Sequence, residues 1–177
     1  MNHNDHVNLL RPANLNQGGV YADFGAGNGA FTLALRELVG LDTTIYAVDK
    51  DKSALRELEN SHRLRFDSTD KLFLLPNDFS RPLDIPPLDG IVMANSLHYF
   101  KDKEKILRHV CGFLKPNGLL LLVEYNVDRG NLWVPHPLTF ETFQLLAPKA
   151  GFSEPRLLGK APSRFLKEFY SAVAYKS

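Results

Sequence analysis

The glycine-rich segment Asp23-Phe24-Gly25-Ala26-Gly27-Asn28-Gly29 is the part of the chain best suited to binding a small ligand. It follows an apolar run at residues 20–24 and precedes an amphipathic stretch, so it lies where a strand turns into a helix. Nucleotides bind at this position in open α/β sheets. Glycine lets the backbone bend sharply and approach a ligand closely, because no Cβ atom stands in the way. The segment therefore predicts a nucleotide-type site at the end of the first strand.

The charge of Asp23 bears on which nucleotide binds. Gly25, Gly27 and Ala30 also fit the looser dinucleotide fingerprint, so a nicotinamide oxidoreductase of similar topology is an alternative. A carboxylate two residues before the first glycine would repel a pyrophosphate, but it suits a ligand with an ammonium and a sulfonium group. Asp23 therefore favours S-adenosylmethionine as the cofactor, with S-adenosylhomocysteine as the product.

Two further carboxylates follow predicted strands. Asp49 ends the second apolar run, twenty residues beyond Gly29, where it can accept hydrogen bonds from both hydroxyls of a ribose, including that of NAD. Asp78 follows the third run and offers an acceptor for an adenine amino group, while Phe79 can pack near the ring. Taken alone, each aspartate also suits a helix N-cap or an exposed turn. Together with the glycine segment they predict three contacts to one ligand.

These pieces together resemble the class I S-adenosylmethionine-dependent methyltransferases, in particular the methyltransferase-domain family whose acceptors are small molecules or unassigned. The resemblance spans residues 19–175, and its matching segments are 23–29, 46–49, 77–78, 95–98, 114–118 and 150–152. It implies that residues 25–29 underlie the methionine moiety and that Asp49 holds the ribose. It also implies that Asn77, Asp78 and Phe79 surround the adenine and that Asn95 borders the sulfonium. The remaining members of the predicted cofactor-binding set are Asp23, Lys50 and Ser96.

His98 is the candidate catalytic residue, because it follows the fourth predicted strand on the side where an acceptor would lie. It could remove a proton from a hydroxyl or amine nucleophile, or it could simply bond the backbone or pack against Phe100. A base is not obligatory, since a sulfonium is an excellent leaving group and alignment supplies much of the acceleration. The loop at residues 126–137 carries Trp133, which either walls the acceptor pocket or caps the helix that follows.

Several other classes of function are disfavoured by the sequence. His3 and His6 lack further histidine or cysteine partners for a zinc site, and Asn95 stands where magnesium-dependent catechol-type enzymes would need a carboxylate. The same segment lacks the Asn/Asp-Pro-Pro-aromatic sequence of enzymes that methylate nucleic-acid bases.

The overall charge and hydropathy disfavour two further classes of partner. Twenty-one basic against twenty acidic side chains give no net positive field that would attract nucleic acid, and no apolar run reaches the ~20 residues of a membrane span. We expect a small-molecule acceptor, no metal, no membrane and no nucleic acid. An unpaired Cys111 and the absence of a secretory signal favour the cytoplasm.

The elements that position these residues form one doubly wound α/β domain with a Rossmann-like, seven-stranded, mostly parallel sheet and helices on both faces. Strands are predicted at residues 20–24, 44–48, 71–75, 91–94 and 119–125, and an antiparallel pair at 156–158 and 166–175 closes the sheet. Helices are predicted up to Gly40 and at residues 50–60, 102–114 and 139–150, and residues 116–118 form a turn. We expect residues 1–18 to be an N-terminal segment that is disordered in part, and residues 19–177 to be the methyltransferase domain. Because that segment is short, a second subunit could cover the pocket in a homodimer. A non-catalytic cofactor-binding module is also an alternative.

Overall fold

The computed structural model describes residues 1–177 and consists of seven strands and five α-helices. The strands are β1 Val20–Phe24, β2 Thr44–Val48, β3 Leu72–Leu75, β4 Leu88–Ala94, β5 Leu114–Tyr125, β6 Arg156–Pro162 and β7 Glu168–Tyr175. The helices are α1 His3–Leu10, α2 Ala30–Val39, α3 Lys52–Phe66, α4 Lys103–Phe113 and α5 Phe140–Leu146. Short 3₁₀ turns occupy Arg11–Ala13, Leu97–Tyr99 and Pro148–Ala150. No helix is long and apolar enough to cross a membrane.

All seven strands belong to one sheet in the order β3-β2-β1-β4-β5-β7-β6. Strands β1 to β5 pair in parallel, and β7 runs antiparallel to both β5 and β6. The predicted seven-stranded sheet with its C-terminal antiparallel pair is thus confirmed. The chain moves outward from β1 on one side and from β4 on the other, so a crevice opens at the carboxyl ends of these two strands.

The core lies on both faces of the sheet because β5 is apolar on both faces. Leu120 and Leu122 pack into one cluster of buried side chains, together with α4 and α5 residues. Leu121 and Val123 point to the opposite face and pack with residues of α1 and α2. Alternate side chains of a strand point to opposite faces, so a run of leucines can be central only if helices cover both sides.

Two helices differ in length from the prediction. Helix α3 begins after Asp51, whose side chain accepts bonds from the backbone N–H groups of Ser53 and Ala54, and it continues to Phe66 instead of ending at residue 60. The extra turns bury His62 on the same face as Leu55 and Leu58, which keeps the helical spacing. Helix α5 ends at Leu146, and a 3₁₀ turn begins at Pro148, a residue that cannot donate the next helical bond.

The predicted turn at residues 116–118 lies within β5 in the structure. Asn117 has a left-handed backbone (φ 61°), and the pairing of β4 with β5 is irregular between Leu88 and Gly90. The local bend expected from Pro116-Asn117-Gly118 is therefore accommodated as a bulge near the beginning of the strand.

The N-terminal segment forms helix α1 and does not conform to the expected partial disorder. Asn2 accepts a bond from the Asp5 backbone N–H and donates its own backbone N–H to the Asp5 side chain, a capping box. Val7, Leu9 and Leu10 are buried in the cluster that includes residues of α2. A short polar helix is marginal on its own, so this packing is what stabilises it.

Candidate active site

A cavity of about 580 Å³ lies in the crevice at the carboxyl ends of β1 to β4. Nine predicted cofactor residues line it: Gly25, Gly27, Asp49, Lys50, Asn77, Asp78, Phe79, Asn95 and Ser96. Ala94, Tyr99 and Phe100 complete the wall and were not predicted as site residues. The two aromatic residues directly follow His98 in the sequence, which was the available indication for them. Residues that are distant in sequence thus converge because parallel strands end at the same edge of the sheet.

The glycine loop meets the cavity with a bare backbone. Gly25, Gly27 and Gly29 all have positive φ values, at 85°, 51° and 91°. A Cβ on Gly25 would come within 2.5 Å of the Ser96 Cβ, and one on Gly29 would collide with Leu58, whereas one on Gly27 would meet nothing within 4 Å. Gly25 and Gly29 are therefore required by close packing, and only Gly27 has open space beside its backbone.

Asp23 lies beneath the loop and not in the cavity wall. Its side chain is buried and accepts a 2.6 Å hydrogen bond from the Thr32 hydroxyl. Burial raises the pKa of Asp23 to about 7, although the bond from Thr32 opposes the shift. The sequence suggested a direct contact between Asp23 and the ligand. In the structure Asp23 is instead a buried carboxyl group that links the end of β1 to α2.

Three more predicted loop residues lie outside the wall. Ala26 is buried in a small cluster with Leu55 and Leu58, so it packs against α3. Asn28 is exposed, and Gly29 is held close to α3. The loop therefore divides its residues between packing and the cavity.

Asp49 joins the glycine loop to the end of β2. Its Oδ2 accepts a hydrogen bond from the Gly27 N–H at 2.8 Å, and its Oδ1 accepts one from the Asp51 N–H at 2.9 Å. Each carboxylate oxygen can accept a second bond, so Asp49 retains capacity for ligand hydroxyls. The same side chain thus supports the loop and lines the cavity.

Asp78 is held by a cation and a serine. Lys50 Nζ lies 2.8 Å from Oδ2, while the Ser80 N–H and hydroxyl both donate to Oδ1. Partial burial alone would raise the pKa of Asp78, but the bonds from Lys50 and Ser80 outweigh it and lower the pKa to about 2. Asp78 is therefore a carboxylate at neutral pH, and Lys50 reaches the site by pairing with it.

Asn95 lines the cavity and has an unsatisfied acceptor. Its backbone is left-handed (φ 53°), and its N–H donates to the Val123 carbonyl, while the neighbouring Ser96 hydroxyl donates to the Phe24 carbonyl. The Asn95 Oδ1 atom is buried and has no hydrogen-bond partner. A buried unpaired acceptor is costly, so a ligand donor bound in the cavity would satisfy it.

His98 forms a buried pair with Glu124, a residue that sequence reasoning missed. The His98 Nδ1 atom lies 2.8 Å from Glu124 Oε2, and Glu124 Oε1 accepts bonds from the N–H groups of Leu97 and His98. Both side chains are almost fully inaccessible to solvent. Because a carboxylate only accepts, Nδ1 donates and Nε2 is left as a potential proton acceptor. A lone acidic residue at the end of the apolar run 119–123 was the available signal.

His98 lies near one aromatic residue of each of two cavities and lines neither cavity itself. Its ring centroid is 4.4 Å from that of Tyr99, which lines the cavity at the carboxyl ends of β1 to β4, and 6.1 Å from that of Tyr125. Tyr125 lines a second cavity of about 830 Å³, between the start of α1 and the β6–β7 hairpin. Trp133 is 69% exposed and lines neither cavity.

The sequence of residues 22–120 matches the model of a family described as methyltransferase domain. No curated protein matches the chain. Among solved structures, it is similar to a candidate O-methyltransferase from Nostoc punctiforme PCC 73102, with 20% identity over 98% of this chain and 56% of that one and a TM-score of 0.78. It is also similar to human N-acetylserotonin methyltransferase in complex with S-adenosylmethionine, with 20% identity, 98% and 52% coverage and a TM-score of 0.70. Magnesium protoporphyrin IX methyltransferase from Synechocystis PCC 6803, with bound S-adenosylmethionine, gives 16% identity, 99% and 78% coverage and a TM-score of 0.75.

The chain thus spans about half the length of two of these structures. At such low identities the likeness concerns the fold. The family match covers more than half of the chain and includes the glycine loop, β2 and β4. This chain belongs to the methyltransferase domain family and has the class I fold of S-adenosylmethionine-dependent methyltransferases.

Proposed function

We propose that the protein transfers a methyl group from S-adenosylmethionine to a small-molecule acceptor. The observation that carries this proposal is the Asn95 side chain, which lines the cavity beside the bare backbone of Gly27 and whose buried Oδ1 has no hydrogen-bond partner. An amide oxygen without a donor suits a ligand that carries an ammonium group, and an open glycine admits a ligand close to the loop. Asp23 adds a buried acidic group beneath that loop, and its ionised form would attract a cation and repel a phosphate.

The other residues of the cavity suit the remaining parts of this cofactor. Asp49 would accept hydrogen bonds from the ribose hydroxyls, and Asn77 would bond the edge of the adenine. Phe79 would pack against the adenine ring. The Phe79 ring centroid already lies 5.4 Å from that of Phe24 and 5.4 Å from that of Phe100, so an aromatic group is present at this wall. When bound, S-adenosylmethionine supplies an electrophilic methyl group on a positively charged sulfur.

The His98–Glu124 pair would manage the proton of the acceptor. Glu124 holds the Nδ1–H of His98, so Nε2 is free to take a proton as the acceptor attacks. The two backbone N–H groups on Glu124 Oε1 restrain the carboxylate and thereby the imidazole. His98 is the proposed base, and Glu124 is a positioning residue.

A ligand comparison tests the cofactor. Thermal unfolding would be followed with S-adenosylmethionine, S-adenosylhomocysteine and NADH, since a ligand at a hundred times its Kd adds about 2.7 kcal/mol to stability. We expect a rise in Tm with the first two ligands and none with NADH. A rise with NADH alone would instead support a nicotinamide oxidoreductase. Binding of S-adenosylhomocysteine without turnover on any acceptor would support a non-catalytic module.

We also propose that the protein works in the cytoplasm. The buried Cys111 thiol has no cysteine to pair with, which suits a reducing compartment. A homodimer remains a prediction, and size-exclusion chromatography with light scattering would test it.

A further inference from the structure

We propose that the edge of the sheet beside the cofactor cavity docks on an anionic lipid surface, with Leu132 and Trp133 as its inserting tip. Three segments form this surface, which we call the rim: residues 98–101 after β4, residues 126–137 after β5, and residues 163–167 in the β6–β7 hairpin. They lie at one edge because β4 and β5 run parallel and because β7 begins beside the end of β5. The docking does not depend on the proposed methyl transfer.

The three segments of the rim are joined by hydrogen bonds. The His136 N–H donates to the His98 carbonyl at 3.0 Å, which joins the loop after β5 to the turn after β4. The Asn126 N–H donates to the carbonyl of Glu168, the residue that follows the hairpin turn, and the Asn126 side-chain amide donates to the Glu168 carboxylate at 2.6 Å. The hairpin is therefore tied to the same loop, and the rim is one connected surface.

Leu132 and Trp133 are held out into solvent by the turn that carries them. The Asn131 side-chain oxygen accepts hydrogen bonds from the N–H groups of Trp133 and Val134, both at 2.9 Å, and the Asn131 N–H donates to the Val134 carbonyl. Val134 is buried, whereas Leu132 is 87% exposed. The turn is therefore anchored on one side and presents two neighbouring large apolar side chains on the other. Such a contiguous exposed apolar surface marks a contact site.

Positive charge accompanies this tip. Four exposed cations of the rim form neither an ion pair nor a side-chain hydrogen bond: Lys101, Arg129, Arg164 and Lys167. Asp128 is the one carboxylate within the rim, while Asp102 and Glu168 at its borders are bonded to the Lys105 N–H and to Lys160. The rim thus concentrates free positive charge on a chain whose net charge is only +1.

An apolar tip surrounded by cations fits an anionic lipid surface. Trp and Tyr side chains favour the boundary of a bilayer, and basic residues near it gain from negative headgroups. Trp133, Tyr99 and Phe165 supply the aromatic groups, and each is more than half exposed. A second copy fits less well, because a closed dimer through the rim would bring the same cations of both subunits together. The sequence pointed away from membranes because no apolar run could span one, but docking of this kind needs no span.

The chain contains a single tryptophan, so its fluorescence reports on the tip alone. Emission would be recorded during titration with vesicles of phosphatidylglycerol or of phosphatidylcholine, and binding would be measured in parallel by vesicle flotation. We expect a shift to shorter wavelength with phosphatidylglycerol, because the indole leaves water, and binding to phosphatidylcholine that is at least about tenfold weaker. Added salt should weaken the binding, since salt screens the attraction between exposed charges.

Matched variants locate the docking surface. Leu132→Ser should lower the affinity for phosphatidylglycerol vesicles about tenfold or more, because burial of a leucine side chain is lost, whereas Leu64→Ser should not. Leu64 is 89% exposed near the end of α3, which leads back to the opposite edge of the sheet. Arg129→Gln should lower the affinity about fivefold through one lost charge, while Arg156→Gln, an exposed arginine at the start of β6, should leave it unchanged.

Each alternative for the rim gives a different result. No wavelength shift and no flotation with either lipid would refute the docking, and equal binding to both lipids would refute the selection of an anionic surface. Equal losses in Leu132→Ser and Leu64→Ser would place the contact elsewhere on the molecule. A shift that grows with protein concentration in the absence of vesicles would show that a second copy covers the tip. None of these results changes the expected binding of S-adenosylhomocysteine, so the proposed function is tested separately.

Discussion

Replacing Glu124 by glutamine should convert His98 from a proton acceptor into a donor. Glutamine has nearly the same shape, and its amide oxygen can still accept the Leu97 and His98 N–H bonds seen in the structure. Its NH₂ group would then face His98 Nδ1, which must become the acceptor, so the proton moves to Nε2. The imidazole keeps its place but loses the lone pair that would take the proton of the acceptor.

The expected size of the effect follows from this change of tautomer. A positioned general base contributes about 10²–10⁴-fold to turnover. We therefore expect kcat to fall by a factor in that range on an acceptor whose hydroxyl must lose a proton. The bond between the two side chains persists, but it then joins neutral groups, so the free energy of unfolding should fall by no more than about 1.5–3 kcal/mol, the value for a hydrogen bond to a charged group. Affinity for S-adenosylhomocysteine should stay unchanged, since neither residue lines the cofactor cavity.

The acidity of the acceptor separates a role in proton transfer from a purely structural one. Rates of methyl transfer would be measured with an ordinary phenol and with a nitro-substituted phenol that is already ionised at the assay pH. The variant should lose activity on the first and largely keep it on the second. Glu154→Gln, an exposed glutamate without side-chain bonds, serves as control. Equal losses on both phenols would mean that Glu124 only maintains the fold, and no loss on either would remove His98 as the base.

Other substitutions test the cofactor site and the buried ionisable groups. Asp49→Asn should weaken S-adenosylhomocysteine binding by about tenfold to a hundredfold in calorimetry, because charge-assisted hydrogen bonds are lost, while the exposed Asp42→Asn should have no effect; equal affinities would remove Asp49 from the site. Asp23 has a pKa raised to about 7 from 3.8, so stability is lost as pH rises through this window, by about 4 kcal/mol above pH 7. Asp23→Asn should therefore stabilise the ligand-free protein at pH 8 more than at pH 5, and urea unfolding at both values would refute this if the difference were constant. His62 has its pKa lowered, first by burial, so its contribution is complete above pH 6.5 and declines as pH falls below it. In His62→Gln the free energy of unfolding should therefore decline less at low pH than in the wild type. Parallel pH profiles of the two proteins in the same urea series would contradict a stabilising role of neutral His62.

The strands and the glycine loop could be predicted because their causes are local. Apolar runs such as 119–123 mark buried strands whatever surrounds them, and β1 and β2 begin and end at the predicted residues. The positive φ values of Gly25, Gly27 and Gly29 likewise follow from a tight turn between strand and helix. The same reasoning did not find α1, because eight largely polar residues become helical only when they pack on α2.

The sequence by itself determined the order of elements, the position of the loop and the set of polar residues at the strand ends, since each depends on neighbours in the chain. The tertiary structure decided which of these residues meet. Glu124 reaches His98 only because β5 pairs beside β4, and Asp23 leaves the cavity because Thr32 of α2 packs over it. The second cavity, which Tyr125 lines, exists only where α1 and the β6–β7 hairpin approach each other. Burial and charge pairing depend on contacts between residues far apart in sequence. Hydrophobic periodicity is a local pattern, so it does not predict these contacts.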